Sequence, residues 1–153
     1  MDKLKISFLI AAAALLAGCQ TTGGVQGPRG EVQELTVNRP LTMAIGGGGA
    51  RFQYGDRTTA VNPDAPYCII RGGARSLEPD SFIITRVERG SSGSNPEDLP
   101  SNGGFYEQVR LWLSSPLQPA IQEMICRRPS SLSEGDMSSA DIQAILGQGF
   151  TLR

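Results

Sequence analysis

Apolar and polar positions alternate along most of this chain in short runs, and Gly, Pro, Ser and Asn separate the runs. From Val32 onward, residues 33–37, 41–45, 50–54, 67–71, 82–88 and 105–114 each have the length and composition of a β-strand. The two-residue period is clearest in the longest run. Phe105, Glu107, Val109, Leu111 and Leu113 share one face, and Tyr106, Gln108, Arg110 and Trp112 share the other. Tyr67-Cys68-Ile69-Ile70 is apolar on both faces, as a central strand is. Residues 120–126 fit two periods: Ile121, Met124 and Ile125 suit a helix, while Met124 and Cys126 suit a strand. We read them as a helical turn leading into a strand that ends at Cys126.

One segment is marked as a helix at both ends. Ser138 and Asp141 form a capping-box-like S-x-x-D, Ile142, Ile145 and Leu146 make one apolar stripe, and Gly147 stops the helix. So short a helix must dock on a sheet to persist. The polar stretch 90–104, GSSGSNPEDLPSNGG, predicts a projecting hairpin loop. The glycines at 46–49 predict a tight or bulged hairpin joining 41–45 to 50–54. A phosphate loop would need G-K-[ST] or a following helix, and neither is present. The pattern as a whole predicts a single, mainly β domain over residues 32–153, a small antiparallel β-sandwich or half-open barrel with one short C-terminal helix.

The first 31 residues are patterned differently. Lys3 and Lys5 precede an apolar run over 6–17, interrupted only by Ser7, and the run ends in Leu16-Ala17-Gly18-Cys19. Basic, apolar and small-residue regions in this order read as a secretory signal, and the apolar part is too short to span a bilayer. The sequence LAGC resembles the lipobox of bacterial lipoproteins, the signal peptidase II type. The resemblance implies cleavage between Gly18 and Cys19, diacylglycerol on the Cys19 thiol and a third acyl chain on the new amino terminus. Residues 1–18 are then a signal peptide that is removed, and 19–31 are the lipidated cysteine with a flexible Gly-, Thr- and Gln-rich tether. Each buried methylene adds ~0.8 kcal/mol, so two or three chains anchor stably where one does not. The residue after Cys19 is Gln20. In the Gram-negative lipoproteins this resembles, an Asp there favours the inner membrane, so Gln20 points to the outer membrane, with the domain facing the periplasm.

Composition narrows the chemistry. Lys3 and Lys5 are the only lysines, there is no histidine, and 12 arginines against 14 acidic residues leave the chain from Cys19 onward at −2. Nucleic-acid binding needs a basic footprint, and so does a polybasic membrane patch. Neither is expected here, so the Cys19 lipid is the membrane contact. Without His or Lys in the mature chain, Ser-His, Cys-His, Ser-Lys and Schiff-base chemistry have no groups to work with. The reading leans away from an enzyme. The rival is a small carboxylate-dependent hydrolase or carbohydrate-active enzyme drawing on Asp56, Asp64, Glu78, Asp80 and Glu107. A small-ligand carrier is a third alternative. Cys68 and Cys126, an even pair in an exported domain, read as a disulfide. They lack the C-x-x-C spacing and companion ligands of a redox or metal site, and no cofactor or metal is expected. Arg71-Gly72-Gly73-Ala74-Arg75 reads as exposed turn arginines rather than an anion loop, and Glu97 with Asp98 as solvated loop acids.

The series ARFQYG, PYCIIR, FIITRV, VRLWLSSPLQP, MICRR and ADIQAILGQGF resembles small exported proteobacterial proteins with two cysteines and no assigned activity. The likeness spans most of the mature domain and implies no catalytic residue. The expected role is therefore a structural or protein-binding module of the envelope, with another envelope protein as partner. Tyr106, Arg110 and Trp112 are the candidate partner site, because Tyr, Arg and Trp dominate binding hot spots. The alternative is that Trp112 is packed under the C-terminal helix or a loop. Anchoring itself is testable: Cys19→Ala abolishes radioactive palmitate incorporation and leaves an uncleaved or mislocalised precursor. Label retained by that variant refutes the lipoprotein reading.

Overall fold

The structure, a computed structural model, describes residues 33–43, 49–92, 105–132 and 135–153. The lipobox, the tether, glycines 46–48 and the loop acids Glu97 and Asp98 lie outside these residues. The described strands are β1 (Glu34–Val37), β2 (Leu41–Thr42), β3 (Ala50–Gln53), β4 (Asp56–Thr58), β5 (Tyr67–Gly72), β6 (Ser76–Leu77), β7 (Asp80–Ser92), β8 (Tyr106–Ser114), β9 (Ile121–Pro129) and β10 (Phe150–Leu152). A single helix, α1 (Ser139–Leu146), precedes β10. Eight strands form one antiparallel sheet in the order β10-β1-β7-β8-β9-β5-β3-β4, and β2 pairs with β6 in a separate ribbon. The fold is mainly β, a curled half-barrel with one short C-terminal helix.

Alternation puts Val109, Leu111 and Leu113 of β8, Cys126 and Met124 of β9, Cys68 and Ile70 of β5 and Phe82 and Ile84 of β7 on the inner face, in one buried core. The sheet curls so far that its ends meet. Phe52 of β3 and Phe150 of β10, near opposite ends of the strand order, stack edge to face with centroids 4.9 Å apart. Helix α1 sits over this seam, burying Ile142, Ile145 and Leu146. Its capping box forms as the sequence predicts. The Asp141 N–H donates to Ser138 Oγ (3.2 Å), and Asp141 Oδ2 accepts from the Ser138 N–H (2.7 Å). The β3–β4 hairpin turns on Tyr54-Gly55, both at positive φ, the mirror-image turn that suits strand twist. The Gly55 N–H donates to the carbonyl of Ile145 (3.0 Å). A Cβ on Gly147 would lie 2.2 Å from the Gly55 oxygen, so the helix end and the hairpin can approach only through glycine.

The structure corrects several boundaries. Among the described residues β2 pairs with β6 and β3 pairs with β4 and β5, so the expected hairpin between 41–45 and 50–54 does not form. β7 runs through Ser92, past the start of the expected loop. A hydrogen-bonded turn from Gln118 to Ile121 replaces the helical turn before β9, which continues beyond Cys126 to Pro129. Met124, Ile125, Cys126 and Arg127 are all buried, so both faces of β9 are covered there and no period shows.

Cys68 and Cys126 lie directly opposite each other on β5 and β9 and form a disulfide, with Cα atoms 4.0 Å apart and both side chains fully buried. The bond staples two central strands, and its 58-residue separation gives about 4 kcal/mol in the chain-entropy model. Replacing both cysteines by Ala lowers unfolding free energy by ~2–5 kcal/mol in urea titration. An unchanged midpoint contradicts this role for the bond.

Candidate functional site

The outer face of the sheet divides into two parts. At one end, residues 59–66 pack over it. Val61 lies on Tyr67, Ile69 and Tyr106. The Gln53 side chain donates to the carbonyls of Asn62 (2.9 Å) and Ala65 (3.3 Å). Tyr106 is 1% exposed, stacks edge to face on Tyr67, and donates its hydroxyl to the Pro63 carbonyl (2.7 Å). Tyr106 shares a face with Arg110 and Trp112, as its position predicts, but it is covered. It belongs to a satellite core and not to an accessible site.

Beyond this cover no described segment lies over the face, and strand register assembles a cluster there. Arg71 on β5 pairs with Glu123 on β9, Glu123 with Trp112 on β8, and Trp112 with Arg86 on β7. Arg110 lies opposite Glu88. The guanidiniums of Arg86 and Arg110 lie 5.9 and 5.7 Å from the centroid of the half-buried Trp112 ring, within cation–π range. Glu123 lies between two arginines, 3.7 Å from Arg71 Nη1 and 3.6 Å from Arg110 Nε. Both distances exceed a normal hydrogen bond. Arg86 pairs with Glu88 on its own strand. Among the described residues, Arg71 Nε, Arg110 Nε and Trp112 Nε1 are shielded from solvent with no acceptor. Only Arg110 and Trp112 were legible in advance. Arg71, Arg86 and Glu123 join them through register, which periodicity within one strand does not reveal.

The candidate carboxylates do not form a comparable group. Glu107 accepts from Arg128 (2.6 Å) and from the Met137 N–H (2.5 Å), tying β8 and β9 to the segment before α1. Asp80 accepts from Ser115 Oγ (2.5 Å) and Gln118 Nε2 (3.2 Å). Partial burial works to raise the Asp80 pKa and is the largest single influence. Hydrogen bonds from Ser115, Gln118 and the Ser81 N–H together outweigh it and hold the carboxyl below its usual range. Asp141 is also held low, chiefly by the backbone N–H and then the hydroxyl of Ser138. Asp56, Asp64 and Glu78 are exposed on β4 and in turns. No three acidic or cysteine side chains among the described residues are grouped to hold a metal ion. A cleft of about 220 Å³ lies between Tyr54, Pro66, Met137 and α1, with Arg128 and Asp141 at its edge. Its charged groups are already engaged, Arg128 by Glu107 and Asp141 by Ser138.

No protein-family model, curated protein or solved structure matches this chain.

Trp112 lies on the open face, away from α1. Removing it therefore costs less than the ~3–5 kcal/mol of a fully buried aromatic. Trp112→Ala is expected to cost about 1–2 kcal/mol in urea denaturation, and acrylamide should quench the indole of the native protein. A loss in the full cavity range, with an unquenchable indole, contradicts the open-face assignment.

Proposed function

We propose that this chain is a lipid-anchored envelope protein acting without catalysis, as a module that binds another envelope protein through the outer face around Trp112 and Arg110. The observation that carries the reading is the Trp112 cluster. It is an aromatic flanked by guanidiniums on a rigid sheet, uncovered by any described segment, with three N–H donors lacking acceptors. The partly exposed guanidiniums of Arg71, Arg86 and Arg110 can meet a partner's acceptors in charge-assisted hydrogen bonds. Composition supports the non-catalytic part of the reading, since the mature chain has neither His nor Lys. So does the use of Glu107 and Asp80 in holding segments together. The filled interior of the curled sheet favours a binding face over a carrier cavity.

The test places a photo-crosslinking amino acid at Ile83, an exposed position bordering the cluster on β7, in the full-length protein in cells. The expected result is a discrete adduct that is lost on Trp112→Ala and not formed from a probe at Leu132. Equal adducts from both positions, or none from Ile83, refute the proposal.

A further inference from the structure

We infer that the partner segment read by the Trp112 face is an acidic polypeptide stretch. This inference rests on the binding-module reading above and adds the chemistry of the partner. Two guanidiniums flank the indole and a third lies in the same cross-strand row, with side chains 54% (Arg86), 32% (Arg110) and 40% (Arg71) exposed. Of the two acids among them, Glu123 is less exposed (17%) than any of the arginines, and Glu88 (35%) is paired with Arg86. A partner approaching the sheet therefore meets a patch of three arginines and two acids whose most exposed groups are Arg86 and Arg71, on a chain whose net charge from Cys19 onward is −2.

Charge alone would suit any anion, and three further observations favour a peptide. First, the single Glu123 carboxylate is divided between Arg71 and Arg110 at 3.6–3.7 Å, so neither guanidinium has the bidentate partner its fork is built for. An incoming carboxylate can supply it. Second, the two most exposed guanidiniums, Arg71 and Arg86, lie on β5 and β7, three strand spacings apart, and one small anion does not reach both. Third, the row Arg71–Glu123–Trp112–Arg86 crosses four adjacent strands, about 14 Å at ~4.8 Å per spacing. An extended segment of about five residues covers that distance at ~3.4 Å per residue. Acidic side chains at its ends then meet Arg71 and Arg86, while its middle lies over the indole.

Trp112 is the only tryptophan in the chain, so its fluorescence reports on this site alone. The full-length protein in nonionic detergent is titrated with a Glu-Ser alternating peptide, the matching Lys-Ser peptide and inorganic phosphate. The Glu-Ser peptide is expected to shift or quench Trp112 emission saturably. Its apparent affinity should fall about tenfold between about 0.05 M and about 0.5 M NaCl. It should fall about as much in Arg86→Gln and in Arg110→Gln, and stay unchanged in Arg57→Gln. Unfolding midpoints of the variants separate lost binding from lost folding, and Arg86, the most exposed of the three, gives the cleaner result. An equal response to phosphate marks a small-anion site and overturns the inference. So does a response to the Lys-Ser peptide, or none to the Glu-Ser peptide. If the Ile83 adduct persists in those cases and is unaffected by salt, the binding-module reading stands and only the acidic partner is refuted. Loss of the adduct as well refutes both.

Discussion

The curl of the sheet is the constraint on which the rest of this fold depends. An eight-stranded sheet left flat would have to bury both faces or expose one, and a domain of this size has a single short helix to cover it. Bending until β3 meets β10 lets the inner face bury itself. The Phe52–Phe150 pair and the apolar stripe of α1 then close the seam. Gly147 permits this closure, because a Cβ there would lie 2.2 Å from the Gly55 carbonyl oxygen. Once the inner face is consumed in this way, the convex face is the one left outside the core.

That face is held rigid from behind. Cys68 and Cys126 point inward, while the alternate positions on β5 and β9 carry Arg71 and Glu123 outward. The covalent link and the outer-face row thus share the same two strands. Arg128 and Glu107 fasten β9 and β8 to the approach of α1, with Glu107 also accepting the Met137 N–H. A partner segment would therefore meet side chains whose backbones are already fixed, which lowers the ordering cost of association.

The legible features of the sequence were those that depend on neighbours along the chain. The central character of β5, the alternation of β8 and the capping box of Ser138 and Asp141 are local patterns, and they form as read. The disulfide was legible because two cysteines lacking C-x-x-C spacing and companion metal ligands read as a structural pair. β4, β6 and β10 are two or three residues long and carry too few positions to show any period. The glycines before β3 carry no side chains to set a register, so nothing local indicated that β2 would pair with β6. Burial of Tyr106 under residues 59–66 depends on where a loop falls in space, and the alternation of β8 is silent about it. The cluster around Trp112 was half visible for the same reason: Arg110 lies on the same strand, whereas Arg71, Arg86 and Glu123 arrive from its neighbours.

The pairing of β1 with β10 sets a temporal order on this protein. β1 begins at Glu34 and its outer neighbour ends at Leu152, so the first and last strands of the domain lie side by side. The carbonyl of Arg153 accepts from the N–H groups of both Gln33 and Glu34. Synthesis runs from the amino end, so β10 is the last strand of this sheet to become available. Until then Phe52 lacks its ring partner and the barrel stands open along one side. Closure of the domain therefore waits on β10, and a chain lacking that strand would present the open seam, with an apolar interior and an unpaired β1 edge.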